Sequence, residues 1–67
     1  MSPSERLKLL RKTLGFTQAK MAKTLNVRVD QITNYENKRT KIPADVLEKM
    51  IKLARKKNLP YQLGVIK

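Results

Sequence analysis

The chain has 67 residues, 16 of them Lys or Arg and five Asp or Glu, for a net charge of +11, with no Cys and no His. This length allows one small domain, residues 1–67, which buries only about 60% of the surface its unfolded chain exposes. Missing Cys rules out a disulfide framework and a Cys-based zinc site, and missing His removes the commonest general base and metal ligand. No metal, other cofactor or small-molecule ligand is therefore expected, and an enzyme is the least expected class. The charge favours a polyanion, whether DNA, RNA or an anionic membrane, over a merely soluble basic protein. No apolar segment follows Met1–Ser4, and no run approaches the roughly 20 apolar residues of a membrane span, so a cytoplasmic protein with no membrane partner is expected.

In chain order, Ser2-Pro3-Ser4-Glu5 reads as a capping box with Pro at the first helical position. Leu7, Leu10 and Leu14 repeat at helical spacing, with Arg6, Lys8 and Lys12 off that face, and Gly15 stands where a helix closes left-handed. The first helix is predicted from about Pro3 to Leu14. Thr17 is a good cap for a second helix with Met21, Ala22 and Leu25 as its apolar stripe. Asn26 is placed to take a left-handed backbone in a sharp turn, with Val27 plugging it. A third helix follows from about Val29 to Asn37, with Ile32 and Tyr35 inward. After the polar stretch Asn37–Pro43, Pro43 suits the start of a fourth helix. That helix runs from about Ala44 to Lys57 on a stripe of Val46, Leu47, Met50, Ile51 and Ala54, with Asn58 closing it.

The tail, residues 59–67, alternates Leu59, Tyr61, Leu63 and Val65, a strand period that Pro60 and Gly64 weaken. It leaves a short helix, an extended arm and disorder open. Its apolar content predicts a part in a two-fold dimer. The expected fold is all-α, a small bundle of four to five helices.

Two short helices joined by a tight turn in a basic all-helical chain suggest a helix-turn-helix over about residues 17–37. Ala22 is small where the third helix approaches the second, and Ile32 fixes one on the other. The stretch from about Arg11 to Pro43 resembles the phage repressor and Cro type of helix-turn-helix, the XRE-like family. Leu14, Gly15, Thr17, Gln18, Ala22, Val27, Ile32, Tyr35, Glu36 and Asn37 match its pattern in register. Met21 replaces the usual Leu, a swap that conserves volume. Asn26 replaces the turn Gly, Arg28 replaces a capping Ser or Thr, and Lys38 replaces the Gly after the Glu-Asn pair. Losing the cap costs about 1 kcal/mol, which Asp30 offsets by its charge near the helix start.

The resemblance implies a sequence-specific regulator that binds double-stranded DNA with its third helix in the major groove. Val29, Asp30 and Asn34 are then expected at base edges, with Gln31 and Thr33 flanking. Asn and Gln can be bidentate to adenine, Asp30 can accept from cytosine N4, and Val29 can touch a thymine methyl. For Asp30 an answer to the helix dipole alone is as good a reading. Thr17, Gln18, Arg28, Lys38, Arg39 and Lys41 are expected at phosphates. The resemblance also pairs Arg11 with Glu36 as a structural ion pair. It implies a homodimer on a palindromic operator. The other class in play uses the same fold to bind RNA, the ribosome or a protein partner, as an antitoxin does.

Overall fold

A computed structural model describes residues 2–57, which form four α-helices and no strand: α1 (Pro3–Thr13), α2 (Gln18–Leu25), α3 (Val29–Glu36) and α4 (Ala44–Lys56). The fold is all-α. Helix ends fall within a residue of those read from the sequence, since Leu14, Asn37 and Lys57 cap helices instead of extending them. The expected closing role of Asn58 and everything expected of the tail lie outside the described residues.

Local chemistry starts the first two helices. Ser2 Oγ accepts from the Glu5 backbone N–H at 3.2 Å, and Glu5 Oε1 accepts from the Ser2 N–H at 3.0 Å. Both halves of the capping box are made, so two amides that the helix itself cannot satisfy have partners. Thr17 Oγ1 accepts from the Lys20 N–H at 3.0 Å in the same way for α2. At α3 the sequence reading needs correcting. Arg28 offers no side-chain acceptor, but Gln31 Oε1 accepts from the Arg28 backbone N–H at 2.9 Å, so the start of α3 is tied by its third residue and not left to Asp30.

The first three helices stop in one way. Gly15, Asn26 and Lys38 have φ of 71°, 59° and 62°, each a left-handed residue just past a helix. The next amide in each case reaches back five residues: Phe16 to the Arg11 carbonyl, Val27 to that of Ala22, and Arg39 to that of Asn34, at 2.9–3.0 Å. Gly adopts this backbone freely and Asn tolerates it. Lys38 does so against the steric preference of its Cβ, which costs about 1–2 kcal/mol.

The core sits where the four helices meet. Leu7 and Leu10 come from α1, Met21, Ala22 and Leu25 from α2, Ile32 and Tyr35 from α3, and Val46, Met50, Leu53 and Ala54 from α4, all buried. Each fully buried Leu or Ile contributes about 1.5–3 kcal/mol. Leu53 joins the core although the stripe read for α4 omitted it, while Ile51 is only half-buried. Ala22 lets α3 close on α2, and Val27 packs against the core beneath the turn. A larger residue at 22 would push the two helices apart, at a cost of about 1–3 kcal/mol. Lys49, outside the apolar stripe of α4, donates from Nζ to the Leu25 carbonyl at 3.1 Å, tying α4 to the end of α2.

Candidate nucleic-acid interface

The α2–α3 unit is held from behind by a polar node. Arg11 Nε donates to Glu36 Oε2 at 2.7 Å and Nη2 to Glu36 Oε1 at 3.2 Å, a bidentate pair. Arg11 Nη1 also donates to the Phe16 carbonyl at 3.0 Å. Gln18 Nε2 donates to Glu36 Oε1 at 3.2 Å, and Gln18 Oε1 accepts from the Thr33 hydroxyl at 3.2 Å. The Arg11–Glu36 pair thus gathers α1, the α1–α2 loop, the first turn of α2 and the last turn of α3. Because the node joins residues from separate helices, it fixes the angle at which α3 leaves the body.

This geometry redistributes the residues expected at DNA. Gln18, expected at a phosphate, has both ends of its amide engaged inside the molecule. Thr33, expected beside the base edges, faces α2, and its hydroxyl also bonds the Val29 carbonyl at 3.2 Å. Gln31 is exposed, but its oxygen caps α3. The outward front of α3 consists of Arg28, Val29, Asp30 and Gln31, with Asn34 half-buried one turn on. Val29 is 48% exposed, an apolar side chain with no intramolecular use for that surface. Arg28 Nε meets Asp30 Oδ1 at 3.2 Å in the open.

The sequence showed too little of this node. Arg11 and Glu36 were paired only through the resemblance, and nothing local marks Gln18 or Thr33 as its members. A signal for the Gln31 cap was present, since Gln three residues after the helix start is capping-box spacing.

In the loop after α3, Lys38, Arg39, Thr40 and Lys41 are all exposed. With Ile42 they border an open hollow closed on the far side by Pro3 and Ser4. Glu5 Oε2 lies 3.9 Å from Lys38 Nζ. The Ser2 backbone N–H, and after it the Lys38 charge, hold the Glu5 carboxyl below the usual range for glutamate. Among the described residues no three acidic side chains gather to hold a metal ion. None of their helices is long and apolar enough to cross a membrane.

A family model described as a helix-turn-helix domain matches residues 4–65, nearly the whole chain. The chain belongs to that helix-turn-helix family. The match agrees with the repressor and Cro-type, XRE-like resemblance of about residues 11–43, and gives the helix-turn-helix a DNA-binding role in general terms. No curated protein and no solved structure matches the chain.

Proposed function

We propose that this helix-turn-helix protein is a sequence-specific double-stranded DNA-binding transcriptional regulator that inserts α3 into the major groove. The observation that carries the reading is the contrast along α3. Its outward front holds an exposed valine, the Gln31 amide and an Arg28–Asp30 pair whose charges cancel, with the Asn34 amide one turn on, in a chain of net charge +11, while its far end is locked by the Arg11–Glu36–Gln18 node. Lysines on that front would attract phosphate from any sequence. Amides and a methyl-bearing side chain can discriminate bases. With its side chains an α-helix is about 10–12 Å across, which fits the roughly 12 Å width of the groove.

In this reading Asn34 reads adenine and Val29 packs on a thymine methyl. Lys38, Arg39 and Lys41 take phosphates, and Thr17 brings the free amides at the start of α2 to the backbone. Gln18 and Thr33 set the orientation of α3. The protein acts as a homodimer with half-sites one helical turn, about 34 Å, apart on a palindromic operator.

A randomised-duplex selection with the purified protein tests this. A two-fold symmetric consensus is the expected result, and Asn34→Ala should cost about 1–3 kcal/mol on that site while relaxing choice at one base pair. Equal loss on specific and random duplex would remove Asn34 from base reading. Preference for RNA or a protein partner over any duplex would move the chain to the other class that uses this fold.

A further inference from the structure

We infer that Arg28, held in place by Asp30, reads a guanine in the major groove, and that the two form one specificity unit at the leading end of α3. This rests on the reading of α3 as a recognition helix.

Arg28 is the last extended residue before α3, with φ −85° and ψ 153°. Helices of this kind contact base edges with their first residues. The Arg28 and Asp30 side chains are 81% and 60% exposed, so their pairing satisfies no buried charge. An ion pair this open contributes little to stability. Its geometry matters in another way. Asp30 Oδ1 engages Arg28 through Nε alone, at 3.2 Å. Among the described residues Nη1 and Nη2 meet no acceptor, so the outer fork of the guanidinium stays open. Two parallel N–H groups of that fork fit the O6 and N7 acceptors of guanine, the most frequent specific contact to a base. A flexible Arg would lose rotamer freedom on docking, and anchoring Nε beforehand lowers that loss.

Asp30 needs an explanation in its own right. A lone carboxylate on a surface that approaches phosphates is repelled within the Debye length of about 8–10 Å. Paired with Arg28 it adds no net charge, so the unit brings selectivity without general attraction. Asp30 Oδ2 remains able to accept from a neighbouring cytosine amino group. The pair thereby changes both earlier assignments: Arg28 serves a base and not a phosphate, and Asp30 acts first on Arg28.

The test compares wild type, Arg28→Ala, Arg28→Lys and Asp30→Asn in duplex selection, with titrations on selected and random duplexes across salt. Thermal melts by circular dichroism accompany them. All four should fold alike, because the α3 cap uses the Arg28 backbone and Gln31. Wild type should select guanine at one position of each half-site. Arg28→Ala and Arg28→Lys should each lose roughly ten- to hundredfold discrimination there, since lysine keeps the charge but not the fork. Asp30→Asn should soften the same guanine while binding random duplex as well as wild type or better. The inference is overturned if Arg28→Ala weakens all sequences alike and lowers the salt slope by about 1, the mark of a phosphate contact. It is equally overturned if Asp30→Asn changes a different base pair and leaves the guanine intact. Wild type with no affinity for any duplex would instead defeat the recognition-helix reading, before any variant is compared.

Discussion

At one end of α3 Arg11 meets Glu36 through two hydrogen bonds, with side chains 14% and 4% exposed; at the other Arg28 meets Asp30 through one, in open solvent. The chemistry is the same and the environment opposite. At the rear, both charges have left water, and the cost is offset only because the remaining donors and acceptors are satisfied by Phe16 and Gln18. At the front, both charges keep their water, and little is gained or lost by pairing. The rear pair therefore determines where α3 points, and the front pair is free to respond to what α3 meets. The proposed role of α3 needs both: a fixed base and a tip whose polar groups are not consumed by folding.

Breaking the rear pair should have the largest effect. Arg11→Met and Glu36→Leu should each destabilise by about 3–5 kcal/mol in denaturant melts, because each strands a buried partner. The double variant should recover much of the loss. If the two costs simply add, or if either single variant melts like wild type, the rear pair differs from the front pair less than its burial indicates.

Lys38 lies between these extremes, a strained residue in a long, exposed pair with Glu5. Lys38→Gly should gain up to about 1 kcal/mol of stability by relieving the left-handed strain. On duplex DNA the same change should flatten the dependence of log affinity on log salt by about 0.9, one phosphate contact. Lys38→Asn, which also tolerates this backbone, should match the loss of slope with less gain in stability. A stable Lys38→Gly protein with an unchanged slope would take Lys38 out of the interface.

At the front, Asp30→Asn should change folding stability by less than about 1 kcal/mol. A larger loss in chemical denaturation would show that the front pair also carries structure. The smallest effect is expected at Glu5. Its folded-state carboxyl titrates below its unfolded value, so its contribution is present above the ordinary glutamate range and is lost as pH falls through the lowered value. The melting difference between wild type and Glu5→Gln should therefore shrink below about pH 4.3. A difference that persists at pH 2 would assign the Glu5 effect to packing or amide bonding and not to its charge.

The four helices and their ends were legible because their determinants are local. Ser2 with Glu5, Thr17, Gly15 and Asn26 act within a few residues of where they stand, and the apolar spacing needs no knowledge of the partner helix. The rear node was not legible from spacing. Gln18 and Thr33 are ordinary polar residues until the α2–α3 turn brings them within 3.2 Å. The Lys49 contact was not legible for the same reason: its ammonium finds a carbonyl of another helix. Leu9 illustrates the converse, an apolar side chain one position off the buried face of α1 that remains 39% exposed. At the candidate interface, residue types named the candidates, but which side chains are consumed internally followed only from the packing of α2 on α3.

Tyr35 gives α3 an optical reporter. The chain has no Trp and only two Tyr, and Tyr35 is 4% exposed in the core, one residue before Glu36. In a chain carrying Tyr61→Phe, near-ultraviolet absorbance and tyrosine fluorescence would come from that single phenol. Transferring it to water on unfolding would shift both signals, while a ligand engaging only the outward front of α3 should leave its buried surroundings unchanged. Binding at the tip and loosening at the root of the same eight-residue helix could thus be told apart spectroscopically without an added dye.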